Sequence, residues 1–105
     1  MSELHLVQGD VGIVLRGALL NDDTEGPLDI TGCDVYFQMR KSDDLNYQIN
    51  GLCANINEPG GLVTYKTGAN DLGITGDFLG QFEVRYPDDT IQTTKDWLKI
   101  KVRKQ

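Results

Sequence analysis

The sequence is poor in the residues that carry most enzyme chemistry. Its 105 residues include one histidine, His5, and two cysteines, Cys33 and Cys53. Acid–base and nucleophilic catalysis need convergent groups with tuned pKa values. A Ser-His-Asp arrangement would have to recruit Ser2 or Ser42 from polar, surface-type segments. We therefore expect no catalytic site, and we interpret His5 as a solvent-facing strand residue.

Metal and cofactor motifs are also missing. Cys33, Cys53 and His5 could supply three zinc ligands, but there is no C-x-x-C pair and Cys33 falls on an apolar face. No calcium-loop pattern and no G-x-x-x-x-G-K phosphate loop occurs. The acidic pairs are interpreted as solvated loops; they are Asp22-Asp23, Asp43-Asp44 and Asp88-Asp89. We expect no metal and no cofactor.

Long apolar runs and an excess of basic residues are absent as well. Apolar runs extend over only a few residues, so no segment is predicted to span a bilayer, and the first residues do not resemble a secretory signal. A chain made in the cytoplasm keeps its cysteines reduced, which favours free thiols over a disulfide. The net charge of −6 argues against a nucleic-acid partner or an anionic membrane partner.

What the sequence does have is alternation with a period of two, which is typical of strands with one buried side. It is clear over residues 11–19, 33–40, 76–86 and 97–103. The residues predicted to face the core there are Val11, Ile13, Leu15, Gly17, Leu19, Cys33, Val35, Phe37, Met39, Phe78, Gly80, Phe82, Val84, Tyr86, Leu98, Ile100 and Val102.

The middle of the chain predicts a hairpin about a turn at residues 58–61, where glycines can adopt a positive φ. On its first strand we expect Leu52 and Ile56 to face inward and Cys53 outward, although a slip of one residue would reverse this. Residues 69–73 could hold a single helical or 3₁₀ turn. The seven or eight strands in total predict an all-β antiparallel sandwich or barrel with one domain over residues 1–105.

Three segments together resemble one protein family. Residues 26–40 resemble the G-x-P-hydrophobic-D-hydrophobic-T-G-A-x-V-x-F-x-M-R stretch of phage baseplate upper proteins, and residues 8–19 supply a leading strand. Residues 76–90 resemble the G-x-Y-x-A-E-F-E-V-x-Y-P-D-G-T hairpin of that family, and residues 97–102 fit its closing strand. The resemblance follows the family's order over almost the whole chain. Cys33 replaces a small residue of the pattern, and Asp89 stands where glycine is usual.

The resemblance implies an Ig-like β-sandwich used as an N-terminal module of tail, baseplate or fibre-adaptor proteins. The expected function is a non-enzymatic virion protein, made in the host cytoplasm, that docks to other virion proteins and forms a homo-oligomer in the particle. Family members often continue into a coiled coil or a receptor-binding part, which this sequence lacks, so docking is favoured over host binding. Two alternatives stay open: a head decoration or head–tail connector protein, and a carbohydrate-binding module.

Alternation on the last strand selects the candidate docking residues. Lys99, Lys101 and Arg103 form a basic stripe on the outward side, and Trp97 shares that side as a possible anchor. Tyr36 is the second aromatic candidate. The alternative interpretation of the stripe is edge protection, since lysines discourage edge-to-edge strand pairing. A carbohydrate site would have to use Trp97, Tyr36 and Tyr47.

Overall fold

In the computed structural model of the chain, residues 3–21, 24, 26–93 and 98–104 are described. They contain no helix, and therefore none that could cross a membrane. Their nine strands confirm the all-β prediction, with one or two more strands than expected. The strands are β1 (Glu3–Val7), β2 (Val14–Ala18), β3 (Asp34–Lys41), β4 (Tyr47–Leu52), β5 (Ala54–Asn57), β6 (Leu62–Lys66), β7 (Gly76–Arg85), β8 (Ile91–Thr93) and β9 (Leu98–Arg103).

The strands form two sheets that pack as a sandwich. The large sheet has the order β1-β9-β7-β3-β4, with β8 also paired to β7, and the small sheet has the order β2-β6-β5. The longest pairing joins β3 and β7 from Asp34↔Arg85 to Lys41↔Phe78. Neighbouring strands are antiparallel throughout the described residues except for β1, which runs parallel to β9.

The core lies between the sheets and confirms most of the predicted inward faces. Phe37 is at its centre, with its ring centroid 5.4 Å from those of both Tyr65 and Phe82. Val35, Phe37 and Met39 of β3 are almost completely buried, as are Ile100 and Val102 of β9. Val11 is an exception to the prediction: it is 60% exposed because it precedes β2, which begins only at Val14.

The predicted phase of residues 52–57 is wrong. Cys53 is buried, whereas Leu52 and Ile56 are 58% and 62% exposed. The reason is that the chain passes from the large sheet to the small sheet at this point. Leu52 is still paired beside the outward-facing Tyr36, and the Cys53 N–H donates to the carbonyl of Val35 at 2.8 Å. Both cysteines are therefore buried, and both are free thiols.

The segment between β6 and β7 forms two hydrogen-bonded turns and no α-helical turn. Asn70 has a φ of 71°, which a right-handed helical turn does not allow. The Asp71 N–H donates to the carbonyl of Gly68 and the Gly73 N–H to that of Asn70. These turns place Leu72, which is 1% exposed, over one end of the core.

Candidate interaction surface

The basic stripe lies where alternation placed it, on the solvent side of the large sheet. Lys99, Lys101 and Arg103 are exposed, while Ile100 and Val102 between them are buried. The edge-protection interpretation is wrong, because β9 is not an edge: it pairs with β1 on one side and with β7 on the other. The stripe is therefore part of a continuous sheet surface.

The pairing registers define the rest of that surface, which we call the outer face. A residue directly opposite an outward-facing residue also faces outward. Applied from strand to strand, this gives His5, Val7, Asp34, Tyr36, Gln38, Arg40, Tyr47, Asn50, Leu52, Asp77, Leu79, Gln81, Glu83, Arg85, Ile91, Thr93, Lys99, Lys101 and Arg103.

Lys101 has ionisable neighbours on both flanking strands. Its Nζ lies 3.8 Å from Oδ1 of Asp77 on β7, with both side chains well exposed. A surface pair of this kind contributes only about 0–1 kcal/mol to stability. On β1, His5 is the partner of Lys101 in the parallel register and is exposed, as the sequence indicated.

Tyr36 lies on the same face as the stripe, but not beside it. The guanidinium carbon of Arg85 sits 4.1 Å from the centroid of the Tyr36 ring, and the Arg85 Nε donates to Oε1 of Glu83 at 2.6 Å. Tyr36 is opposite Glu83 and Lys99 is opposite Leu79. Four residues along β7 and two strand spacings put roughly 16 Å between them.

A polar network that the sequence did not reveal fills the space between Tyr36 and the stripe. Gln38 faces outward yet is only 2% exposed. Its Nε2 donates to Oε2 of Glu83 at 3.1 Å and to Oδ1 of Asn50 at 3.4 Å, while Nε2 of Gln81 donates to its Oε1 at 2.7 Å. These bonds fix the side chains and make this part of the outer face a stiff, polar strip.

Two well-exposed apolar residues of the outer face lie on the strands at either side of the Tyr36–Arg85 pair. Leu52 pairs with Tyr36 on β4, and Ile91 on β8 pairs with Arg85; they are 58% and 57% exposed. Leu52 was missed as a surface residue because alternation in the sequence predicted that it faces the core. Trp97, the predicted anchor, lies outside the described residues. The structure therefore brings together the three basic residues, and it adds Leu52 beside Tyr36 and Ile91 beside Arg85.

A second feature is an apolar cleft of about 440 Å³ between the two sheets. It arises because the small sheet is narrower than the large one. A Cβ on Gly17 of β2 would lie 2.7 Å from the ring of Phe82, so β2 sits directly over β7, and β9 and β1 continue beyond it. The cleft is lined by Leu4, Val14, Leu15, Arg16, Phe37, Phe82 and Leu98.

Cys33 and Cys53 pack in the core, and their environment makes the thiols unreactive. Burial raises the pKa of Cys53 to about 12 and also raises the pKa of Cys33, to which the charge of Asp29 adds. A protonated thiol is a poor nucleophile and a poor metal ligand. Within the described part of the chain, no group of three or more His, Cys, Asp or Glu residues could hold a metal ion.

Comparison with known proteins shows that the fold of this chain is similar to that of solved structures. No protein-family model matches the sequence, and no curated protein matches it. Among solved structures, the N-terminal domain of phage TP901-1 ORF48 is similar, with a TM-score of 0.68 at 12% identity, covering 99% of this chain and 85% of that one. CopC from Methylosinus trichosporium OB3b is similar with a TM-score of 0.57 at 10% identity, covering 100% and 87%. At these identities the likeness concerns the fold.

Proposed function

We propose that the chain is a non-enzymatic structural protein of a phage particle, a tail, baseplate or fibre-adaptor subunit that docks to its neighbours. The observation that carries this proposal is the similarity to the phage TP901-1 domain over 99% of the chain. The segments that resemble baseplate upper proteins support it. Residues 76–90 contain β7, and residues 26–40 contain all of β3 except Lys41; these two strands pair at the middle of the large sheet.

The outer face supplies the docking surface. It combines the basic stripe with Tyr36 and the exposed apolar residues Leu52 and Ile91, and the hydrogen bonds of Gln38 to Glu83 and Gln81 hold the polar side chains of β3 and β7 in place. A sheet face that is already rigid loses little conformational freedom on binding. Exposed Leu52 and Ile91 give apolar area that a neighbour can bury.

The charge distribution of the chain indicates which kind of surface the basic stripe binds. The chain carries a net charge of −6, so three aligned cations contrast with the rest of its surface. The Asp43-Asp44 and Asp88-Asp89 loops are exposed and acidic. A stripe that docks on such a loop of a neighbouring copy makes a head-to-tail contact, which closes into a ring when the rotation permits. We propose this homo-oligomer within the particle, alongside other virion proteins and without nucleic acid or membrane.

Two other assignments are less well supported. A head decoration or connector protein would use the same kind of docking face. A carbohydrate-binding module would stack sugars on aromatics, and Tyr36 and Tyr47 do share the outer face. The polar pair Gln38 and Asn50 lies between them, however, so they do not form a continuous aromatic platform.

Composition of the particle tests the assignment. Virions produced from the genome that encodes the chain are purified, and their proteins are quantified by mass spectrometry together with separated tails and heads. The proposal predicts multiple copies in the tail fraction. Copies in the head fraction would favour decoration or connection. Absence from particles, with binding on a glycan array by the purified chain, would contradict the proposal and favour the carbohydrate-binding module.

A further inference from the structure

Strand β2 leaves one side of its main chain unpaired in the described part of the small sheet, where it pairs with β6 alone. The Leu19 N–H donates to the carbonyl of Gly61, and the carbonyl of Ile13 accepts from the Thr67 N–H, both at 2.9 Å. Odd-numbered residues therefore direct their main-chain groups toward β6. Because alternate residues point in opposite directions within the sheet, Val14, Arg16 and Ala18 present theirs to the open side.

This open edge forms one wall of the apolar cleft. The side chains of Val14 and Arg16 lie on the solvent side of the small sheet, so these residues border the cleft through the strand edge, next to the buried Leu15. Leu4 and Leu98 of the large sheet line the cleft opposite them. An unpaired edge beside an apolar slot is the arrangement in which an added strand gains main-chain hydrogen bonds and buries alternate side chains.

We propose that this site binds an extended segment of another polypeptide, which adds to β2 as a fourth strand of the small sheet. Every second side chain of the segment is apolar and enters the cleft. The remaining side chains lie beside Arg16 on the solvent side of the small sheet. Opposite charges across neighbouring strands are favourable, so these side chains are acidic. The site shares no residue with the outer face and does not depend on the proposed function.

The shape of the sandwich favours one segment over a second copy of this chain. The large sheet continues under the cleft as β9 and β1, because β2 already lies over β7. Two strands of the large sheet offer a width of about 10 Å, enough for one or two added strands. A second copy paired through its own β2 would bring its large sheet into the same layer as β9 and β1. The two large sheets would then need the same space, so a single added segment is favoured.

Three synthetic peptides of eight residues with blocked termini test the proposal. One alternates leucine with glutamate, one alternates leucine with lysine, and the third has the composition of the first as a block of leucines followed by a block of glutamates. Each is titrated into the ¹⁵N-labelled full chain and followed by NMR. The leucine–glutamate peptide is expected to shift and protect the amides of Val14, Arg16 and Ala18. It should bind about tenfold more tightly than the other two.

Two variants separate strand addition from loose apolar contact. Ala18→Pro removes one outward N–H but leaves the bonds to β6, and should weaken binding about tenfold, whereas Ala18→Ser keeps the N–H and should not. Arg16→Glu should shift the preference to the leucine–lysine peptide, and it remains informative if Ala18→Pro does not fold.

Three results would overturn the proposal: no binding at millimolar peptide, equal binding of the block peptide, or an unchanged preference in Arg16→Glu. Because no outer-face residue is altered, these results are independent of whether the chain is found in virions.

Discussion

The hydroxyl of Tyr65 donates a 2.6 Å hydrogen bond to Oδ2 of Asp71, which also accepts the Gly68 N–H at 2.8 Å. The bond ties β6 to the turn that carries Leu72 over the core. Tyr65→Phe keeps the ring against Phe37 but removes the donor. We expect a loss of about 1 kcal/mol in the free energy of unfolding, measured by urea denaturation at neutral pH. An unchanged stability would mean that the turn is held by its packing alone.

The same pair predicts how stability responds to alkali. Burial, and then the bond to Asp71, raises the pKa of Tyr65 well above its ordinary value of 10.0. The folded chain thus holds this proton more tightly than the unfolded chain does. The contribution of the Tyr65 hydroxyl to the free energy of unfolding is complete below pH 10 and is lost as the pH rises above that value. Between pH 9 and 11 the wild-type chain should lose more stability than Tyr65→Phe; parallel curves would contradict this.

Close packing between the sheets makes Gly17 sensitive to a methyl group. A Cβ there would lie 2.7 Å from the ring of Phe82, which itself packs on Phe37. Gly17→Ala should lower the free energy of unfolding by about 1–3 kcal/mol, because the ring has to move within the core. Gly26→Ala is the matched control, since its nearest contact is Oγ1 of Thr24 at 3.5 Å. Equal effects on the midpoint of thermal unfolding would contradict the predicted packing.

The buried thiols should be unreactive in the native chain. Cys33 and Cys53 are 5% and 7% exposed, and burial raises both pKa values. We expect Ellman's reagent at pH 8 to label neither residue until guanidinium chloride unfolds the chain, after which both react. Cys33→Ser and Cys53→Ser assign the signals. Rapid labelling of one native thiol would show that its side of the core opens.

Alternation was sufficient to predict the strands that keep one face buried along their whole length. Val35, Phe37 and Met39 and their partners on β7 could be assigned in this way. Cys53 could not, because the chain changes sheets there and local sequence does not record which sheet a residue joins. The burial of Gln38 depends on amide and carboxylate partners from β4 and β7, far away in sequence. The cleft depends on the relative widths of the two sheets.

The outward position of Trp97 and its role as an anchor remain predictions from the sequence, because Trp97 lies outside the described residues. Alternation places it on the same outward side as Lys99. If it anchors docking, Trp97→Ala should reduce incorporation into particles far more than it reduces the thermal unfolding midpoint of the purified chain. Equal losses in both assays would identify Trp97 as a core residue.

We propose that the outer face of the large sheet docks the chain into a particle. This proposal is tested most directly by counting the copies of Lys99→Glu and Lys66→Glu chains incorporated into virions when each replaces the wild type. Both lysines are exposed, but Lys66 lies on the solvent side of the small sheet. We expect Lys99→Glu to be largely excluded and Lys66→Glu to be incorporated normally, with both variants folded. Equal incorporation of the two would contradict the proposal.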